Sequence, residues 1–218
     1  MKLATSQQSK TNTNMHIAIA GNIGAGKTTL TEQLAKRFGW DPHFEDVETN
    51  PYLNSFYEDM QRWSFNLQIY FLASRFRQIV NIHASGRNVI QDRTIYEDAY
   101  IFAPNLHAMN LMETRDFENY SALFELISSM IRPPDLLIYL RSTVPNLVKQ
   151  IQRRGRVYEE SIRLDYLKSL NERYETWIGK YKLGKLLIIN VDEVNFADNA
   201  QDLGFVIEKI QAEIHGLF

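Results

Sequence analysis

The 218-residue chain contains no cysteine, which removes disulfides, zinc thiolates and thiol nucleophiles together. Its chemistry must come from carboxylates, arginine, lysine and bound metal. No apolar run approaches the roughly 18 residues of a membrane span, and the polar opening MKLATSQQSKTNTN lacks the hydrophobic centre of a signal peptide. A net charge of −2 gives no overall basic field, so neither nucleic acid nor a membrane is expected as a partner. The reading is a cytoplasmic protein with a disordered leader over residues 1–14, where Ser, Gln, Thr, Asn and Lys offer nothing to bury, and a single domain over 15–218.

What is present starts with Gly21-Asn22-Ile23-Gly24-Ala25-Gly26-Lys27-Thr28, which fits G-x-x-x-x-G-K-[ST] with an apolar strand-like run before it and a helical pattern after it. Glycines at 21, 24 and 26 permit close backbone approach, so N–H groups can point at a phosphate at the positive end of the next helix. Lys27 supplies a point charge for the β- and γ-phosphates, and Thr28, followed by Thr29, supplies the hydroxyl that ligates Mg²⁺. ATP and Mg²⁺ are therefore expected.

The helix after this loop should run from Lys27 to Phe38 and stop at Gly39. A strand over His43–Val47 should carry Glu45, Asp46 and Glu48 towards the ligand crevice at the carboxyl ends of the strands. Residues 52–84 read as largely helical, and 88–91 as a strand delivering Asp92-Arg93 to the same crevice. Further helices are expected over 95–107 and 113–131, with a strand over 135–140. A helix opened by Ser142, Thr143 and Pro145 comes next. The arginine-rich Gln152-Arg-Arg-Gly-Arg156 leads into a long helix ending near Lys182, a strand over 185–191 and a last helix over 200–215. Five strands alternating with helices predict a parallel sheet covered on both faces. The five histidines show no ligand spacing and are read as structural or surface.

The P-loop, Glu45, Asp92-Arg93 and the arginines of residues 153–156 together describe phosphoryl transfer, which is catalysed by positioning, by cations and by a carboxylate that takes the proton of an attacking hydroxyl. Glu45 can be that base. Arg154 and Arg156 flank Gly155 and can close over the triphosphate as a short lid within residues 150–160.

From Met15 to its C-terminus the chain resembles the deoxynucleoside kinase family, and within it the bacterial deoxyadenosine and deoxyguanosine kinase branch. The resemblance rests on Tyr57-Glu-Asp-Met-Gln-Arg-Trp-Ser-Phe-Asn-Leu-Gln68, on Asp92-Arg93-Thr94 and on Arg154-Gly-Arg156-Val-Tyr-Glu159. It implies a P-loop kinase fold and ATP-dependent phosphorylation of a deoxynucleoside 5′-hydroxyl. Arg93 would orient Glu45 and the 5′-oxygen. Asp92 would hold Mg²⁺ largely through water, and Tyr57 with Glu159 would grip the 3′-hydroxyl. Gln68 would bond the Watson–Crick edge of the base, Phe102 would stack on its face, and Phe71 would belong to the same pocket. Arg75 and Asp98 stand where the family has an Arg and an Asp in members that prefer purines or deoxycytidine. The expected substrates are deoxyadenosine and deoxyguanosine, then deoxycytidine, with thymidine poor.

The chain departs from the family in two places. Asn50-Pro51-Tyr52-Leu53 occupies a turn where eukaryotic members carry tryptophan, and Gln150 replaces an arginine of many lids, a phosphate contact that Arg153 could supply instead. A homodimer through the 52–84 and 113–131 helices is expected. A nucleoside monophosphate kinase of the thymidylate kinase type is the competing reading, but Glu45 beside the 5′ position would repel a phosphate already there. The third reading, a non-catalytic P-loop subunit, conflicts with intact Lys27, Thr28, Glu45 and Arg93.

Overall fold

The computed structural model describes residues 14–45, 47, 49–159 and 161–216. The expected leader falls almost wholly outside them, as do Asp46 and Glu48. Five strands form one parallel sheet in the order β2-β3-β1-β4-β5: β1 His16–Gly21, β2 Asp41–His43, β3 Val89–Asp92, β4 Leu136–Arg141 and β5 Lys185–Asn190. Every residue of β1 and β3 is buried, as a sheet covered on both faces requires. Their Ile17, Ile19, Val89 and Ile90 are fully enclosed. The chain leaves β1 for β2 on one side and leaves the adjacent β3 for β4 on the other, so the crevice at the carboxyl ends of β1 and β3 is the natural ligand site.

Helix α1 spans Lys27–Phe38 as expected, burying Leu30 and Leu34, and Gly39 ends it in the left-handed conformation with its N–H on the Ala35 carbonyl. The 52–84 pattern is two helices, α2 Leu53–Glu58 and α3 Met60–Ser85. They part at Asp59, whose side chain accepts from the Arg62 N–H and restarts the helix. After β3 the chain forms α4 Ile95–Glu97, a π-helical stretch Asp98–Phe102 and α5 Ala103–Ala108. α6 covers Thr114–Ser128 and α7 Val144–Arg154. α8 runs Leu164–Gly179 and α9 Ala200–His215. No helix among the described residues is long and apolar enough to cross a membrane.

Some expected boundaries and one expected cap differ. The second strand was expected over His43–Val47 but lies at Asp41–His43, so Glu45 sits in the loop beyond it. β2 pairs only with β3, through His43 opposite Gln91, and Pro42 fits such an edge position because no neighbour needs its missing donor. The long helix ends at Gly179, not near Lys182. The side-chain cap of α7 comes from neither Ser142 nor Thr143; Asp192, just past β5, accepts from the Thr143 N–H at 3.0 Å and the Ser142 hydroxyl at 2.7 Å.

Candidate active site

The P-loop adopts the backbone that its glycines permit: φ is 156° at Gly21, 86° at Gly24 and 90° at Gly26. At Gly24 a Cβ would stand 2.8 Å from the Leu147 carbonyl oxygen, so space and conformation both demand glycine. Lys27 folds back onto the carbonyls of Gly21 (2.8 Å) and Asn22 (3.0 Å). Burial, and then the neighbouring Arg93, push its ammonium down to about 8, against the pull of Asp92, Glu97 and Glu45. The loop is tied to α8, since the Asn22 amide donates to the Leu167 carbonyl and to Asn171.

Asp92 ends β3, Arg93 takes a left-handed φ of 68°, and Thr94 caps α4 in a reciprocal box with Glu97. That sharp turn, held by the Arg93 N–H on the Ile19 carbonyl at 2.9 Å, sends the guanidinium over the Phe102 ring at 4.5 Å and to Glu45 at 3.4 Å. A non-glycine residue in this conformation carries strain of the kind that collects at functional sites. Arg75 of α3 completes the cluster, with its Nη2 2.8 Å from Glu45 and its Nε 3.1 Å from Asp98. The two carboxylates share the cations unequally. Although burial raises it, the Glu45 carboxyl is held down at about 2 by Arg93, Arg75 and Lys27. Burial wins at Asp98, which is pushed up to about 6 despite Arg75 and Arg93.

All the predicted site residues except Gly21, Asn22, Ala25 and Arg75 line one cleft of about 930 Å³. Arg75 stands behind the wall and acts on the cleft through Glu45 and Asp98. Gln68 is 2% exposed, and its Oε1 finds no partner among the described residues. Phe71 and Phe102 are buried beside it. Tyr57 stacks on Tyr158, with ring centroids 5.8 Å apart. Glu159, 5% exposed, is clasped by Arg154 through Nε at 3.0 Å and through Nη2, whereas Arg156 reaches it only at 3.8 Å. Arg153, considered as a phosphate contact, is paired with Asp198 at 3.0 Å.

The implied Mg²⁺ fits the residues present. The Thr28 hydroxyl donates to Asp92 Oδ2 at 2.6 Å, while Asp92 Oδ1 is buried without a partner among the described residues. A hard cation takes such oxygens, with phosphates and water completing its shell. No cluster of three or more His, Cys, Asp or Glu able to hold a metal occurs among the described residues.

Sequence reasoning missed the segment after β5. Phe196 would meet a Cβ on Gly26 at 3.2 Å, its carbonyl accepts from Gln33 of α1, and Asp198 lines the cleft. No local motif marks it, because its role depends on the far end of the chain returning to the P-loop.

Comparison with known proteins agrees with this geometry. The deoxynucleoside kinase family model matches residues 17–215. The deoxyadenosine/deoxycytidine kinase of Bacillus subtilis (strain 168) is 38% identical over 205 residues, covering 93% of this chain and 94% of that protein. A deoxyguanosine kinase of Lactobacillus acidophilus is 35% identical, with 89% and 88% covered. Among solved structures, deoxyadenosine kinase from M. mycoides with dCMP and dCDP bound superposes with a TM-score of 0.79 at 28% identity, covering 91% of this chain and 100% of that one. The same kinase with bound dATP gives 0.80. Family model, relatives and fold agree, and the chain belongs to the deoxynucleoside kinase family.

Proposed function

We propose that the chain transfers the γ-phosphoryl group of ATP to the 5′-hydroxyl of purine deoxynucleosides, with Glu45 as the general base. The observation that carries this reading is the Glu45 carboxylate, ionised and held between Arg75 and Arg93 on the wall of a cleft whose floor is the P-loop. Arg93 orients that carboxylate and steadies the attacking oxygen. Lys27, swung from its two carbonyls, meets the β- and γ-phosphates, and the loop N–H groups take the rest of their charge. Thr28 and Asp92 would hold Mg²⁺, which neutralises charge on the phosphates. Tyr57 and Glu159 grip the 3′-hydroxyl, and Gln68, Phe71 and Phe102 enclose the base. Salvage of deoxynucleosides is the resulting role.

Preference for purines is supported by the named relatives, which act on deoxyadenosine, deoxyguanosine or deoxycytidine, and by the Asp98–Arg75 pair beside Gln68. Held by Arg75 from behind the wall, Asp98 presents its carboxyl to a ring nitrogen or an exocyclic amine, whereas a thymine methyl would desolvate it without return. In Arg75→Met/Asp98→Ala the ratio of kcat/KM for thymidine over deoxyadenosine should rise by roughly tenfold or more. Absolute turnover should fall, because Arg75 also holds Glu45. A wild-type enzyme that favours thymidine over every purine deoxynucleoside would overturn the preference.

A homodimer belongs to the same proposal. Leu123 and Leu126 of α6, with Met130 just beyond, are 40%, 61% and 58% exposed, an apolar strip that a second copy would cover. Light scattering at micromolar concentration should give twice the chain mass, and the monomer mass would refute it.

A further inference from the structure

Two polar residues lie inside the sheet where apolar ones would be cheaper. His16 of β1 and Gln91 of β3 are 7% and 1% exposed, and burying such groups costs free energy unless they are hydrogen-bonded. They open a chain of side-chain hydrogen bonds that leaves the core. His16 Nε2 lies 2.8 Å from Gln91 Oε1, Gln91 Nε2 donates to Gln78 Oε1 of α3 at 2.6 Å, and Gln78 Nε2 donates to the Phe44 carbonyl at 2.9 Å. The terminus fixes the direction of every link. A carbonyl only accepts, so Gln78 must donate there and accept from Gln91, and Gln91 must accept from His16. His16 is therefore the neutral tautomer protonated on Nε2, with Nδ1 bare. That nitrogen is buried and without a partner among the described residues, and burial pushes the imidazole down to about 4, in keeping with a ring that stays neutral.

The chain ends one residue before Glu45. β2 stops at His43, opposite Gln91, so the Phe44 carbonyl has left the ladder, and the Phe44 side chain, 39% exposed, does not anchor the loop by packing. Arg75 and Arg93 draw on the Glu45 carboxylate, but they fix only its tip. We propose that Gln78, set in place by Gln91 and His16, is a positioning residue that holds the backbone under Glu45 so that its carboxylate meets the acceptor hydroxyl. The proposal rests on the reading of Glu45 as the base. Gln91 serves twice in it, its backbone pairing with the last residue of β2 and its side chain orienting Gln78.

The test is a double-mutant cycle in the full-length enzyme with ATP and deoxyadenosine. Gln78→Met keeps length and helix propensity but removes the donor. It should lower kcat on the order of tenfold, since small displacements of a reacting group are costly, and leave the KM for ATP unchanged. In a Glu45→Gln background the same substitution should cost nothing further, because a group that acts only through Glu45 has nothing left to position. Gln91→Leu, which leaves Gln78 unheld, should give a smaller loss in kcat that also vanishes in that background. Unchanged kcat in Gln78→Met, or a loss that multiplies with Glu45→Gln, would overturn the proposal. Lower thermal midpoints with kcat intact would do the same by showing a structural role only. Full turnover in Glu45→Gln alone would strike the base assignment itself, which is thus tested by a different variant.

Discussion

Glu45→Gln should lower kcat by roughly two to four orders of magnitude, the usual range for loss of general-base help, while leaving ATP binding near normal. The amide keeps the size of the side chain and can still meet a guanidinium through its oxygen, so the change is confined to basicity and charge. With the carboxyl held at about 2 by Arg93 and Arg75, the wild-type residue is ionised at any pH where the enzyme is assayed. Its kcat should therefore show no acid limb from Glu45 between about pH 5 and 8. A low basicity does not disqualify the group. In a loose phosphoryl-transfer transition state the hydroxyl proton departs late, and the carboxylate mainly orients the attacking oxygen until then. Unchanged kcat in the variant would sink the assignment.

Arg156→Ala is expected to depress kcat on the order of 10³-fold, the lower end of what an arginine facing transition-state charge contributes. The structure separates the three arginines by what already occupies them. Arg153 is paired with Asp198 and Arg154 with buried Glu159. Arg156 touches Glu159 only at 3.8 Å and keeps 38% of its side chain exposed, so its planar fork has donors to spare for phosphate oxygens. It follows Gly155, whose φ of 64° ends α7, which leaves a bend where the lid proposed for residues 150–160 would turn. Calorimetry should find deoxynucleoside affinity little changed. If that affinity alone fell, Arg156 would belong to the acceptor site.

The parts of the site that could be read from the sequence are those whose geometry is written in adjacent residues. The P-loop is one, since its positive φ values fall on the glycines that permit them; the Asp92-Arg93-Thr94 turn is another, since Thr94 and Glu97 form their capping box within four residues. The parallel sheet followed from strands alternating with helices, though its strand order did not. What could not be read depends on encounters between distant segments. Arg75 and Asp98 were both named for the base pocket, and they pair, but the second bond of Arg75 to Glu45 required the loop after β2 to arrive beside α3. The early end of β2 has the same cause, because an edge strand lasts only as long as its one neighbour supplies partners. Asp192 capping α7 and Asp198 holding Arg153 lie 49 and 45 residues from their partners, beyond any local pattern.

The π-helical stretch Asp98–Phe102 sets a limit of a different kind. It packs against both α3 and α8, placing Asp98 on Arg75 at one end and Phe102 under Arg93 at the other. The wide turn holds one residue more than an α-helix would over the same rise. Removing that residue would close the turn to regular α geometry and leave the flanking helices where they are, but the side chains within it would be redistributed. Asp98 and Phe102 could not then both keep their neighbours, Arg75 and Arg93. From Asp98 to Phe102 the count of residues is thus a requirement beside their identity. An exchange of side chains here changes the pocket wall at one point, whereas deletion of one residue would re-aim Asp98 and Phe102 relative to each other.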